Sequence, residues 1–113
     1  MAANKRRGEI AATIDGQERV LCLTLGALAE LESAFAVEDL GALAQRFATG
    51  RLSARDLTCV LGAGLRGGGW DVRDDEVAAM TVEGGISGFA TIVAELLAVT
   101  FGVDGAEGGR ADP

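Results

Sequence analysis

The chain changes from a strand pattern to a helix pattern at Thr24, and this switch constrains its fold more than any other feature. Residues 21–23 are continuously apolar, as at the end of a strand. From Thr24 onward the apolar positions follow helical spacing: Leu25, Leu28, Leu31 and Phe35. The Thr24 hydroxyl is suited to accept a hydrogen bond from a backbone N–H of the first helical turn. We therefore predict a hairpin before Thr24 and a series of short helices after it.

The hairpin is predicted from Asp15-Gly16, because both positions tolerate the positive φ angles of a tight turn. The flanking strand-like runs are residues 8–14 and 17–23. A two-residue turn places Leu21 opposite Ile10, whereas a three-residue loop places Cys22 there and gives a cleaner apolar face. The sequence leaves these two registers open. Since an isolated hairpin is marginally stable in water, we expect its apolar face to pack on the helices.

The apolar periodicity after the hairpin predicts four to five short helices, so the expected fold class is α+β and mostly α. Four of the predicted helices cover residues 25–35, 39–48, 74–80 and 86–101. The remaining one, third in chain order, begins near Ser53 and ends at the glycines 67–69. Ser53 and Asp56 resemble a capping box in which Asp replaces the usual Glu. The last helix has the widest apolar stripe: Phe89, Ile92, Val93, Leu96 and Leu97. We expect that helix to be central and the most buried of all.

Length and composition predict one domain with a modest aliphatic core. The chain has 113 residues, and 49% of them are apolar although only 4% are aromatic. The expected domain spans residues 8–102. A flexible basic tail is expected at residues 1–7, and a disordered tail rich in Gly and Asp at residues 103–113.

The overall charge and hydropathy disfavour nucleic-acid and membrane partners. A formal net charge of −7 opposes the phosphate neutralisation on which nonspecific nucleic-acid binding depends. No apolar run approaches the ~20 residues that span a bilayer, and no apolar segment of a signal peptide follows the basic residues 5–7. We therefore expect a cytoplasmic protein. Cys22 and Cys59 are expected to be small buried residues in a reducing compartment, although the sequence does not exclude a disulfide between them.

Catalysis, cofactors and metal ions have no support in the sequence. The chain contains no histidine, which removes the commonest general base and the commonest metal ligand. Residues 62–67 spell G-x-G-x-x-G, but they lie inside or at the end of a predicted helix and not between a strand and a helix. The acidic residues at 71–76 lack the spacing of a calcium loop and favour a solvated helix start. We expect no enzyme, no cofactor and no metal site.

Partner binding is the remaining possibility, and three residues are candidates for it. Trp70 is the only tryptophan and lies in a Gly-rich turn, where it is either a core residue or an exposed anchor. Leu43 and Phe47 lie on the apolar face of the second predicted helix. If Trp70 belongs to the core, the apolar faces of the second and third helices are the next place to look for a binding surface.

Several segments, in order along residues 7–102, resemble the gene transfer agent family of small phage-tail proteins. These segments are Arg7-Gly8-Glu9, the stretch 21–32 (LCLTLGALAELE), Leu52 to Leu57 (LSARDL), Leu61 to Gly67 (LGAGLRG) and Asp75 to Met80 (DEVAAM). One departure is Arg73, where a Ser-like helix cap is expected before the acidic residues. This departure concerns the local cap of the fourth helix.

The resemblance implies a tail assembly chaperone, sometimes labelled tail tube-like, of phage-derived particles made by alphaproteobacteria. It implies the tape measure protein and tail tube subunits as partners, and it has no catalytic residues to transfer. Three hypotheses follow: a transient chaperone, a structural tail component retained in the particle, and an unrelated regulatory or enzymatic domain. A structural tube subunit is expected to have more long alternating strands than one hairpin, so the sequence favours the chaperone.

Overall fold

The computed structural model describes residues 3–102, and its architecture confirms the predicted hairpin followed by short helices. The elements are β1 (Glu9–Ile14), β2 (Gln17–Cys22), α1 (Leu25–Ala34), α2 (Leu40–Ala48), α3 (Ala54–Gly67), α4 (Asp74–Val77) and α5 (Gly85–Phe101). The chain is therefore α+β and mostly α. The tail expected at residues 103–113 lies outside the described residues, as do residues 1 and 2.

The described part of the expected basic tail is a short turn. Lys5–Arg7 form a 3-10 helix, and the Asn4 side chain accepts a hydrogen bond from the backbone N–H of Arg6 at 3.0 Å. The Lys5 ammonium lies 3.5 Å from the Glu95 carboxylate of α5. This segment therefore contacts both the hairpin that follows it and the last helix.

The hairpin takes the two-residue turn, with Ile10 opposite Leu21. Asp15 and Gly16 have φ angles of 55° and 75°, as a tight turn between twisted strands requires. The Asp15 backbone N–H donates to the Thr81 carbonyl at 2.8 Å, and its carboxylate accepts the Thr81 N–H at 2.8 Å. The turn is thus fixed to the segment between α4 and α5, which selects this register although the alternative has the cleaner apolar face.

The helix at the centre of the fold is α3, so the expectation that α5 is the most buried helix is wrong. Seven of the 14 residues of α3 are buried, against three of the 17 in α5. Glycines within α3 and at its C-cap, Gly68, explain its position. A Cβ atom at Gly67 or Gly68 would collide with the backbone carbonyls of Cys22 and Val20, and one at Gly64 would press on Leu96. Without those side chains, α3 packs directly against the backbone of β2.

Three helices begin at the predicted positions, and each of them has a side-chain cap at its N-terminus. The hydroxyls of Thr24 and Ser53 accept N–H groups of the first turn at 3.1 Å, and Asp56 completes the capping box of α3. At α4 the Arg73 side chain makes no such hydrogen bond, and the Glu76 carboxylate accepts the Arg73 N–H at 2.8 Å. The caps at Thr24, Asp39 and Ser53 confirm the predicted starts of α1, α2 and α3.

The fourth helix is shorter than predicted, ending at Val77 instead of residue 80. Ala79 and Met80 donate to carbonyls three residues earlier, which is 3-10 geometry. The chain then turns so that Thr81 meets Asp15. The contact with the hairpin therefore ends α4 earlier than its sequence pattern indicates.

Candidate functional site

An open apolar cleft of about 740 Å³ lies between α5 on one side and α2 with the start of α3 on the other. The α5 wall consists of Ile86, Ala90, Ala94, Leu97, Ala98 and Phe101. The opposite wall consists of Ala44, Phe47, Ala48, Gly50, Leu52, Ala54 and Leu57. Every side chain on both walls is apolar, and a concave surface of this kind is typical of a binding site.

The cleft exists because small side chains face each other across it. Ala90, Ala94 and Ala98 repeat every four residues along α5, and Ala44 and Ala48 do the same along α2. These methyl groups are too short to fill the space between two helices. In addition, α2 packs on α1, whereas α5 packs on β1 and α3, so each wall is supported from behind. The cleft is therefore a property of the fold and needs no rearrangement to open.

Aromatic rings of the two walls lie close together near the ends of α2 and α5. The rings of Phe47 and Phe101 lie 6.5 Å apart between centroids, and Phe35 packs edge-on against Phe47 at 5.1 Å. The three rings connect the ends of α1, α2 and α5. Phe47 is thereby held in one orientation while its helix borders the cleft.

The loop between α2 and α3, which carries Gly50 and Leu52, is fixed by Arg46. The Arg46 guanidinium donates to the Arg51 carbonyl at 3.0 Å and to the Asp56 carboxylate at 2.9 Å. It also lies 5.4 Å from the ring centre of Phe35. These contacts hold this wall of the cleft in place within the chain.

Asp56 connects this loop to the start of α3. Its carboxylate accepts the Ser53 backbone N–H at 3.0 Å as well as the Arg46 guanidinium. The Ser53 backbone hydrogen bond is the main reason that the pKa of Asp56 is lowered, and Arg46 lowers it further against the opposing effect of burial. Asp56 thus links the loop of this cleft wall to the start of α3 through Arg46 and Ser53.

The structure places the three predicted binding residues in different surroundings. Phe47 lines the cleft and is 8% exposed. Leu43, one turn earlier on α2, is fully buried and supports the helix from within the core. Trp70 is partly buried against the core and lies outside the cleft. The structure therefore does not bring the three residues together on one surface.

Trp70 is held by the hairpin and by the end of α3. Its backbone N–H donates to the Leu65 carbonyl at 2.9 Å. The Arg19 guanidinium of β2 stacks over the indole, 4.7 Å from its centre. These contacts use one face of the ring for packing within the chain.

The contribution of α5 to the cleft was missed at the sequence level. Ile86 is 65% exposed, and Ala90 and Ala94 are exposed beside it. The signal was present, because the alanines at every fourth position lie beside the apolar stripe that was interpreted as core. An apolar face wider than the fold covers indicates an additional contact surface.

The other motifs have structural roles. The glycines of residues 62–67 lie within α3 and permit close packing, as predicted. Asp74 pairs with Arg66 at 3.0 Å, and Asp75 pairs with Arg73 at the same distance. In the described part of the chain, no group of three or more potential ligands is placed to hold a metal ion. None of the helices there has the length and hydropathy of a membrane span.

Both cysteines are free and half-buried. Burial raises the pKa of the Cys22 thiol, and the Glu9 carboxylate raises it further. The pKa of Cys59 is also raised, first by burial and then by Asp74. Both thiols are therefore held in the protonated form, which is poorly nucleophilic.

Comparison with protein families gives a match over residues 7–103 to the family described as phage tail tube protein, GTA-gp10. The matched segment includes the hairpin, all five helices and both walls of the cleft. No curated protein and no solved structure matches the chain.

Proposed function

Because the chain belongs to the phage tail tube protein family GTA-gp10, we propose that it acts as an assembly chaperone during the building of a phage-type tail. In this role it holds an apolar helix of another tail protein in the cleft between α2 and α5. It releases that helix when the tail assembles, and it carries out no chemical reaction.

The observation that supports this proposal best is the preformed apolar cleft. Its lining contains only Ala, Gly, Leu, Ile and Phe, and its loop wall is fixed by Arg46 and Asp56. Helices that bind in grooves insert apolar side chains at intervals of three and four residues. The cleft offers the complementary surface, and the formal net charge of −7 would keep a protein with such a surface soluble.

The tape measure protein is the first partner to test, followed by tail tube subunits. A long helical protein exposes apolar faces until the tube surrounds it, and a chaperone with an apolar cleft protects such faces. In this proposal Phe47 contacts the partner directly. Leu43 contributes indirectly, because it is buried beneath the same helix.

Trp70 lies outside the cleft, so we expect its main role to be stability. Replacement by Ala removes the indole from beneath Arg19 and from the edge of the core. We expect Trp70→Ala to lower the free energy of unfolding by about 2–4 kcal/mol and to leave the affinity for the tape measure protein within about twofold. Denaturation and calorimetric titration measure the two quantities. A folded, stable variant with weakened affinity would instead identify Trp70 as a binding anchor.

A second candidate is a structural component that remains in the tail, and the family description favours it. Against this candidate, β1 and β2 form the only sheet within residues 3–102. A subunit that builds a tube from strands is expected to offer longer strands than these two six-residue segments.

Two measurements on producing cells distinguish the candidates. The first is co-purification of the tape measure protein with the tagged chain, and the second is mass spectrometry of purified particles. A chaperone co-purifies with the tape measure protein and is absent from finished particles. A structural component is present in particles in stoichiometric amounts. Absence from both samples would overturn both candidates.

A further inference from the structure

The outer edge of β1 carries backbone groups that are free to pair with another strand. In the two-residue hairpin, every second residue of β1, beginning with Ile10, exchanges backbone hydrogen bonds with β2. The N–H and C=O groups of Ala11 and Thr13 therefore point outward from the sheet. In the described part of the chain these groups have no hydrogen-bond partner. Thr13 is exposed and Ala11 is half-buried, so solvent reaches this edge.

The opposite edge of the hairpin is covered by α3. The carbonyls of Val20 and Cys22 face the glycines 67 and 68 so closely that a Cβ atom at either glycine would collide with them. The hairpin therefore has one closed edge and one open edge. Natural proteins protect an open edge with proline, lysine or other charged side chains. The two outward positions of β1 carry none of these, because they are Ala11 and Thr13.

Both ends of the open edge are already in use. The Glu9 N–H donates to the Asn4 carbonyl at 3.1 Å, and the Asp15 N–H donates to the Thr81 carbonyl at 2.8 Å. An added strand therefore has only the short stretch between these two contacts. An antiparallel strand satisfies that stretch with about three residues, whereas a parallel strand needs about five because its hydrogen bonds are slanted. The available length favours the antiparallel pairing.

A second copy of the chain fits this edge poorly. If two β1 strands pair so that Ala11 of each copy meets Thr13 of the other, Glu9 of each copy comes opposite Asp15 of the other. Two like charges directly opposite each other destabilise a strand pair. In addition, the carbonyls that already bind the N–H groups of Glu9 and Asp15 occupy the same space. A short extended segment of another protein avoids both conflicts.

The alternation of β1 specifies the side chains of that segment. Ile10, Ala12 and Ile14 are buried on the core face, whereas Thr13 is exposed on the other face. A residue paired opposite Ala12 points to the core face, so it is expected to be apolar. Its two neighbours point to the exposed face, where β-branched polar residues such as threonine are well suited to a strand.

We propose that the β1 edge binds a short extended segment of a tail tube subunit by antiparallel strand addition, with an apolar residue of that segment opposite Ala12. This proposal rests on the proposed function, because it gives the chaperone a second docking surface for one of its partners. A subunit that builds a tube from strands exposes unpaired strand edges before assembly, and pairing with β1 protects one of them. No residue of β1 lines the cleft, so the strand site and the helix site are separate.

Amide hydrogen exchange, measured by NMR on the full chain, tests the edge directly. In the free protein we expect the amides of Ala11 and Thr13 to exchange at least about tenfold faster than the amide of Ala12, which faces β2. The probe is the synthetic peptide Lys-Val-Thr-Val-Thr-Val-Glu. At saturating peptide, exchange at Ala11 and Thr13 is expected to slow at least about tenfold, because each N–H gains a carbonyl acceptor.

Two N-methylated forms of the peptide are the matched controls. Methylation of the two threonine nitrogens, which face β1 in the proposed pairing, is expected to weaken binding at least about tenfold. Methylation of the first two valine nitrogens, which face away, is expected to change binding by less than about threefold. On the protein side, Ala11→Pro removes one outward N–H at an edge position where proline is tolerated, and it is expected to weaken binding about tenfold. The peptide controls keep the test decisive if that variant misfolds.

Each other outcome overturns the proposal. Slow exchange at Ala11 and Thr13 in the free protein would mean that the edge is already covered. Slowing that depends on protein concentration alone would identify a second copy as the occupant. Equal binding of the two methylated peptides, or no effect of the unmethylated peptide on either amide, would exclude strand addition. Failure here is distinguishable from failure of the proposed function, because the tape measure protein would still co-purify with the chain.

Discussion

Gly67 shows how a single residue fixes the packing of the hairpin on α3. Its Cα faces the Cys22 carbonyl so closely that an added methyl group would collide with the backbone. Gly26 in α1 is the opposite case, because the nearest neighbour of an added methyl is the Thr24 hydroxyl at 3.9 Å. Both glycines are helical, so an Ala substitution at each position distinguishes the effect of close packing on stability from the effect of helix propensity.

We predict that Gly67→Ala lowers the free energy of unfolding by at least about 2 kcal/mol, because backbone must move to accept the methyl. Gly26→Ala is predicted to raise it by about 0.5–1 kcal/mol, since Ala loses less entropy in a helix than Gly does. Urea denaturation of the two variants measures both changes. A stable Gly67→Ala variant would show that α3 does not pack on the β2 backbone as described.

Asp56 makes the stability of the fold depend on pH, and the contacts of its carboxylate determine the direction of that dependence. Its pKa is lowered in the folded protein, mainly by the Ser53 backbone N–H. The charged carboxylate therefore stabilises the fold at pH values above its unfolded pKa near 3.8. This contribution is lost as the pH falls through the lower, folded pKa.

Asp56→Asn is predicted to reduce stability by about 1 kcal/mol at pH 7, since it keeps the size of the side chain and removes the charge. The difference from the wild type is predicted to shrink as the pH falls below 3.8. Urea denaturation at a series of pH values measures this, with the exposed Glu38→Gln variant as control. A difference that stays constant down to pH 3 would mean that the ionisation of Asp56 does not contribute to stability.

At the scale of elements, α5 has two faces with different roles. Leu96 is fully buried and faces α3, whereas Ile86 is 65% exposed at the edge of the cleft. The wide apolar stripe was interpreted as the mark of a central helix. The fold covers one part of that stripe and leaves the part with Ile86, Ala90 and Ala94 open.

Leu96→Ala is predicted to cost about 2–5 kcal/mol of unfolding free energy, the usual range for emptying a buried leucine site. Ile86→Ala on the same helix is predicted to cost less than about 0.5 kcal/mol, because its side chain is already in water. Chemical denaturation compares them directly. Similar losses for the two variants would show that the cleft is closed in solution.

The sequence predicts elements well where a local signal specifies them. Asp15-Gly16, the Thr24 cap and the box of Ser53 and Asp56 each depend on neighbours within a few residues, and all three are present as expected. Such signals act through short-range hydrogen bonds and backbone preferences, which a single sequence contains.

Features that depend on distant parts of the chain were not predictable from these local signals. The hairpin register depends on Thr81, which lies 66 residues from Asp15. The central position of α3 depends on glycines meeting carbonyls of β2. The cleft forms because α2 packs on α1 whereas α5 packs on β1 and α3. The apolar periodicity of a single helix does not show which elements it packs on. Thus Phe47 was identified as a candidate, whereas the facing alanines of α5 were not.

For the whole molecule, the central claim is that the cleft between α2 and α5 binds a helix of a tail partner. Ala94 lies exposed in the α5 wall, whereas Ala29, which is exposed on α1, does not line the cleft. Glu at either position faces water in the free protein, so neither substitution is expected to change the melting temperature by more than a few degrees. Only at position 94 does binding press the carboxylate against apolar surface.

The most direct test is calorimetric titration of the tape measure protein with the wild type, Ala94→Glu and Ala29→Glu. The account predicts at least about a tenfold loss of affinity for Ala94→Glu and less than about a twofold change for Ala29→Glu. Equal affinities for the two folded variants would contradict it, because the partner would then bind elsewhere on the molecule.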